Sequence, residues 1–87
     1  MGAKIDDNQR QIVMDLRKLG YSVALLSSCG NGIPDILVGL NGENFLFEIK
    51  RDQKQKLNPY QVEFFNKWKG QVKLVTTIDE ILNEINK

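Results

Sequence analysis

A helix, three strands, a helix, a strand and a closing helix follow one another along this chain, an order that predicts an α/β sandwich: a small mixed sheet flanked by helices. Three observations carry the prediction. Apolar residues recur at helical spacing from Asp7 to Leu19, Asn41-Gly42 parts two strand-like runs, and Asn58-Pro59 opens a helix that leads the chain back into a last strand. At 87 residues the sequence is read as one domain over residues 1–87, since a domain takes roughly 150 residues.

Each element has its own signals. In the first helix Ile12, Leu16 and Leu19 share a face, Val13 and Ile5 adjoin it, and Gly20 stops it. Tyr21 to Ser27 is apolar and partly β-branched and reads as a strand, and Ser28-Cys29-Gly30-Asn31-Gly32 reads as a turn-rich loop. A second strand runs from Ile33 or Pro34 to Leu40. Asn41-Gly42 then suits the positive φ that a type I′ hairpin turn needs at both central positions. The third strand, Asn44 to Lys50, alternates: Phe45, Phe47 and Ile49 face one way, Leu46, Glu48 and Lys50 the other. After a charged loop, Asn58 caps the second helix, Pro59 takes its first position and Gln61 completes a capping box; the helix ends near Lys69. Gln71 to Thr76 is the fourth strand. A capping box, Thr77-Ile78-Asp79-Glu80, opens the short last helix, whose apolar stripe is Ile78, Ile81, Leu82 and Ile85. Phe64 and Trp68, four apart on the second helix, read as one buried stripe rather than a stacking surface for bases, with Tyr60 and Phe65 beside them.

Composition removes whole classes of function. There is no histidine, which excludes Ser-His-Asp and Cys-His catalysis and most catalytic zinc sites. The single cysteine, Cys29, makes neither an internal disulfide nor a zinc cluster and suits a reducing cytoplasm. No apolar run approaches the ~20 residues of a membrane span, and no signal peptide is read at the start. Twelve Lys and Arg against 11 Asp and Glu leave +1, so net charge names no partner. An intracellular domain of this composition, if catalytic, must work with carboxylates, lysine and a metal. A domain this small buries only about 60% of its unfolded surface, so a partner subunit would help its stability.

Such parts occur together. Counting outward from Asn41-Gly42, Asp35 on the second strand stands directly opposite Glu48 on the third, and Lys50 leaves the same face as Glu48. Two carboxylates this close repel unless a compensating charge is present. A hard cation supplies it: Mg²⁺ binds one or two carboxylates plus waters and substrate phosphates. The Ile49 carbonyl, between Glu48 and Lys50, could complete the protein's share of the shell. Lys50 would then orient or deprotonate the attacking water, or stabilise charge growing on the phosphate oxygens. These parts serve metal-assisted phosphodiester hydrolysis. On spacing alone they also describe a solvated cross-strand ion pair worth under about 1 kcal/mol.

Gly32-Ile33-Pro34-Asp35-Ile36-Leu37-Val38, Phe47-Glu48-Ile49-Lys50 and Leu57-Asn58-Pro59-Tyr60-Gln61 together resemble the virus-type replication-repair nuclease (VRR-NUC) domain of the PD-(D/E)xK nuclease superfamily. Gln9, Ile12, Leu16 and Gly20 resemble that family's opening helix, so the likeness runs from about Asp6 to Leu82. It implies a restriction-endonuclease-like αβββαβ core with a short C-terminal helix, and a stand-alone minimal nuclease of the kind phages carry. It further implies metal ligation by Asp35 and Glu48, a catalytic role for Lys50, and a place for Gln61 at the border of the active site, besides its cap role. The family has a glutamate near the start of the first helix; here Asp6 or Asp7 stands there, as a metal ligand or as a carboxylate favoured by the helix dipole.

Charge is unevenly distributed. From Lys50 to Lys56, Lys50, Arg51, Lys54 and Lys56 face only Asp52, while Asp79, Glu80 and Glu84 lie at the far end of the chain. A basic loop beside paired carboxylates suits a phosphate backbone and predicts salt-sensitive DNA binding, although such runs are also solvated loops. Ser27, Ser28, Asn31 and the amides of Gly30 and Gly32 would touch phosphate or turn the chain, and Arg10, Arg17 and Lys18 would add contacts. No base-reading module is present, so shape rather than sequence would be recognised. The expectation is a Mg²⁺- or Mn²⁺-dependent endonuclease acting on branched DNA, four-way junctions first and flaps next, as a C₂ homodimer whose two sites cut two strands. The alternatives are a non-catalytic nucleic-acid-binding module of the same fold and a restriction-like nuclease subunit.

Overall fold

Four residues on one helix face orient the molecule. α1 (Asp7–Lys18) buries Gln9, Ile12, Val13 and Leu16 against a four-stranded sheet. The chain continues through β1 (Ser22–Leu25), β2 (Ile36–Leu40), β3 (Glu43–Ile49), α2 (Pro59–Lys67), β4 (Val72–Val75) and α3 (Ile78–Ile85). This computed structural model describes residues 7–87, so Ile5 and Asp6 lie outside the described residues. The strands are ordered β1-β2-β3-β4; β1, β2 and β3 pair antiparallel, and β4 joins β3 in parallel after the α2 crossover. The expected mixed α/β architecture is therefore present.

Alternation divides the sheet into two faces. Ile36, Val38, Phe47, Ile49 and Val75 form the core with Ile12, Val13, Leu16 and Ile81, and Tyr21, Val23, Phe45, Ile78, Leu82 and Ile85 pack at its margin. α1 and α3 cover this face. Register partners point the same way, so Leu37, Leu46, Glu48 and Leu74 belong to the opposite face. The hairpin forms as its residues require: Leu40 pairs with Glu43 across Asn41 and Gly42, at φ of 52° and 81°.

Five local expectations are corrected. Leu19 is not on the buried stripe: it is 60% exposed. The helix stops at Lys18 because Gly20 turns at φ 97°, with Gly20 N–H donating to the Arg17 carbonyl and Tyr21 N–H to that of Leu16. This Schellman closure packs Tyr21, half-buried, against the core in place of Leu19. α2 ends at Lys67 rather than Lys69 and buries no residue at all, so Phe64 and Trp68 are not core; their rings stack on each other, centroids 5.1 Å apart, and Trp68 is 48% exposed. Helical spacing brings two rings together but cannot supply a facing apolar surface, and α1 and α3 already cover the core. At α3 the Thr77 side chain accepts from Glu80 N–H, but the Glu80 carboxylate accepts from the Thr76 amide and hydroxyl instead of closing a box on Thr77. The second strand begins at Ile36: the Asp35 carbonyl still accepts from the Leu26 amide, but Pro34 has no N–H with which to extend the pairing. Among the described residues no helix is long and apolar enough to cross a membrane.

Candidate active site

The end of the sheet at which β1 and β3 finish and β2 begins gathers the polar residues. Continuing the β2–β3 register one step beyond Ile36↔Phe47 sets Asp35 opposite Glu48. The Ile49 amide donates to Asp35 Oδ2 at 2.8 Å, holding the carboxylate against the last residues of β3. Pro34, itself buried, leads the chain into this position. The hairpin geometry expected from the sequence is the geometry found.

Glu48 is the unusual member. Only 3% of it is exposed, which is rare for a carboxylate without full pairing. Its Oε2 accepts from Gln61 Nε2 at 3.0 Å and lies 3.4 Å from Lys50 Nζ, but its Oε1 is buried with no hydrogen-bond partner. Burial first, and then the neighbouring Asp35 carboxylate, push the Glu48 carboxyl up to about 7, against the opposing pull of Lys50. A buried acceptor left in this state is costly and rare, and a cation next to Asp35 and Glu48 would satisfy it. The pair therefore fits a divalent ion, while among the described residues no cluster of three or more metal-ligating side chains is formed.

Gln61 resolves an ambiguity left by the sequence: it serves cap and site together. Its Oε1 accepts from the Asn58 amide at 2.9 Å and from Lys50 Nζ at 3.1 Å, while its Nε2 reaches Glu48. The capping box of α2, with Asn58 Oδ1 accepting from Gln61 N–H, thus fixes the rotamer that aligns Lys50 and Glu48. Gly32 sets where this helix lands. It has φ 78°, and a Cβ there would overlap the Tyr60 carbonyl, so the loop before Asp35 and the first turn of α2 meet backbone to backbone.

Sequence reasoning missed Gln9 as a site residue. It is 4% exposed, its Nε2 donates to Ser27 Oγ at 3.0 Å, and the Ser27 hydroxyl lies 3.4 Å from Asp35 Oδ1. The signal was present: Gln9 precedes Ile12 and Val13 by three and four residues, a polar side chain on the apolar stripe. Asp7 is exposed in the first turn of α1, and the residue of this helix linked to Asp35 is Gln9, through the Ser27 hydroxyl. Asn8 adds support, its Nδ2 donating to the carbonyls of Lys50 at 3.1 Å and Thr76 at 3.4 Å, which ties α1 to the ends of β3 and β4. Ser27 therefore belongs to the site, while Ser28 and Asn31 are exposed on the loop.

Arg51, Lys54 and Lys56 are exposed in the loop that leaves the site. The Asp52 carboxylate accepts from the Lys54 and Gln55 amides, and Gln55 Oε1 accepts from the Arg51 amide, so this loop is shaped by its own side chains. Its acid is spent on backbone, and its bases point to solvent. Arg17, by contrast, donates to the Val23 carbonyl at 2.9 Å.

A mixed sheet with a carboxylate pair and a lysine at the junction of its two central strands defines a restriction-endonuclease-like core, the class to which nucleases of this architecture belong. Comparison with family models and with curated proteins gives no match. Among solved structures, one described as a VRR_NUC domain superposes with a TM-score of 0.67 at 31% identity, over 90% of this chain and 89% of its own. The chain belongs to the VRR_NUC family and is a nuclease-family domain.

Proposed function

We propose that this domain is an endodeoxyribonuclease that hydrolyses phosphodiester bonds in branched DNA with Mg²⁺ or Mn²⁺, four-way junctions being its first substrate, and that it works as a homodimer. The observation that carries the reading is the buried, partly unpaired Glu48 beside Asp35, with Lys50 held at its rim. Asp35, Glu48 and the Ile49 carbonyl would hold the ion. A divalent cation there supplies the positive charge that compensates the carboxylates and polarises a phosphoryl oxygen. Lys50 would stabilise charge developing on a phosphate oxygen, its ammonium shared between Gln61 Oε1 and Glu48. Water attacks phosphorus in line; as that bond forms the opposite P–O ester bond breaks, leaving a phosphate monoester and a hydroxyl.

Arg51, Lys54 and Lys56 would supply phosphate contacts beside the site, with Ser28 on the loop that leads to Asp35. Such contacts read backbone shape rather than bases. One site per chain cuts one strand, so symmetric cleavage of a junction calls for two copies. The test is cleavage of an end-labelled immobile junction and a matched duplex with Mg²⁺, Mn²⁺ or EDTA, beside Asp35→Asn and Lys50→Ala proteins. Paired cuts near the branch point that need metal and vanish in both variants are expected. A folded parent that binds the junction and cuts neither DNA overturns the proposal in favour of a non-catalytic binding module.

A further inference from the structure

α2 carries a second surface that the phosphodiester site does not use. Tyr60, Phe64 and, at its C-cap, Trp68 recur every four residues along it; Tyr60 is 67% and Trp68 48% exposed, and no residue of the helix is buried. With Asn31, Glu63 and Lys67 they line an open groove of ≈ 410 Å³. We infer that this groove is a stacking platform for unpaired nucleobases of the DNA strand that enters the active site.

Three features favour that occupant. The first is planarity: Phe64 and Trp68 lie nearly parallel, at an interplanar angle of 17°, an arrangement that a stacked base would continue. The second is charge. Glu63 and Lys67 are paired at 2.7 Å, so the groove is close to neutral and suits a base, whereas the Lys50–Lys56 loop suits phosphates. The third is continuity with the carboxylate site. Tyr60 adjoins Gln61, its carbonyl is packed against Gly32, and Asn31 belongs to the loop that ends at Asp35. From Tyr60 to the cap residue Trp68 the rise is about 12 Å, room for a short run of splayed bases leading away from the site. The Asn31 side-chain amide adds a donor and an acceptor for a base edge. This inference rests on the nuclease reading for its substrate, but not on catalysis for its test.

Trp68 is the single tryptophan, so its emission reports the groove alone. The experiment titrates the protein in EDTA with a short oligothymidylate and with a fully paired hairpin duplex, following tryptophan quenching and, by anisotropy, affinity. Quenching by the single strand well beyond that by the duplex is expected. Tyr60→Ala should weaken single-strand binding by about 5- to 150-fold, the loss that follows removal of one stacked base partner, with Tyr60→Phe restoring it. Duplex binding should change little. Equal quenching by both DNAs, or unchanged affinity in Tyr60→Ala, overturns the inference. So does a change in sedimentation of the DNA-free protein on Trp68→Ala, which would make the groove a contact between copies of this chain. A protein that quenches as expected yet cuts no DNA with metal refutes the nuclease reading and leaves the platform standing; one that cuts junctions without selective quenching does the reverse.

Discussion

Replacing Glu48 with glutamine removes one ionisable group from the buried end of the sheet and keeps its shape. In the metal-free protein, burial and then Asp35 push this carboxyl up to about 7 from an ordinary 4.5. The folded chain therefore holds the proton more tightly than the unfolded chain. Stability from this group is complete below pH 4.5 and is lost as pH rises through about 7. One pKa unit is about 1.4 kcal/mol, so in a water-free site the loss would reach about 3 kcal/mol. Lys50 is 16% exposed at the rim, so solvent reaches the pair, and screening leaves about 1–2 kcal/mol. On a domain of this size that is about 5–10 °C in Tm. Glu63, Glu80 and Glu84, held low by Lys67, Thr76 and Lys87 respectively, contribute stability above their unfolded value and lose it only as pH falls, outside this window. The assay is thermal unfolding by circular dichroism in EDTA at about pH 5 and about pH 8. The parent should lose stability on going to the higher pH by that margin more than Glu48→Gln, and the variant should be the more stable protein there. Parallel pH curves for the two proteins would refute the argument that Glu48 is destabilised by burial beside Asp35.

The same carboxyl makes a metal prediction: at about pH 8, Mg²⁺ or Mn²⁺ should raise the Tm of the parent by mass action and leave Glu48→Gln largely unmoved, read by differential scanning fluorimetry. Gly32→Ala must place a Cβ against the Tyr60 carbonyl at φ 78°, and should cost about 2–4 kcal/mol in chemical denaturation; Gly42→Ala, with open space around it, should cost clearly less. Replacing Lys54 and Lys56 together by glutamine should flatten the dependence of log affinity on log salt by about 2, one phosphate contact each, in fluorescence anisotropy with a junction in EDTA; an unchanged slope would show that the loop does not meet the backbone.

Local chemistry along the chain determined most of the architecture. Asn41-Gly42 accepts the positive φ of a two-residue turn, that turn pins the register, and the register alone carries Asp35 to Glu48; nothing distant is needed. Asn58, Pro59 and Gln61 likewise specify the start of α2 through contacts three residues apart. Tertiary structure decided what depends on a partner far along the chain. Gln9 becomes a site residue only because the α1 stripe docks its first turn beside Ser27 and Asp35, and a polar residue on that stripe does not announce its partner. Gln61 acquires its second role only because Gly32 lets α2 approach the loop closely enough for its amide to span Glu48 and Lys50. The spacing of Phe64 and Trp68 was legible, but not which side of them faces water. Periodicity states which side chains share a face; whether that face is buried depends on how much apolar surface the rest of the fold has left to cover it, and α1 and α3 had already closed the core.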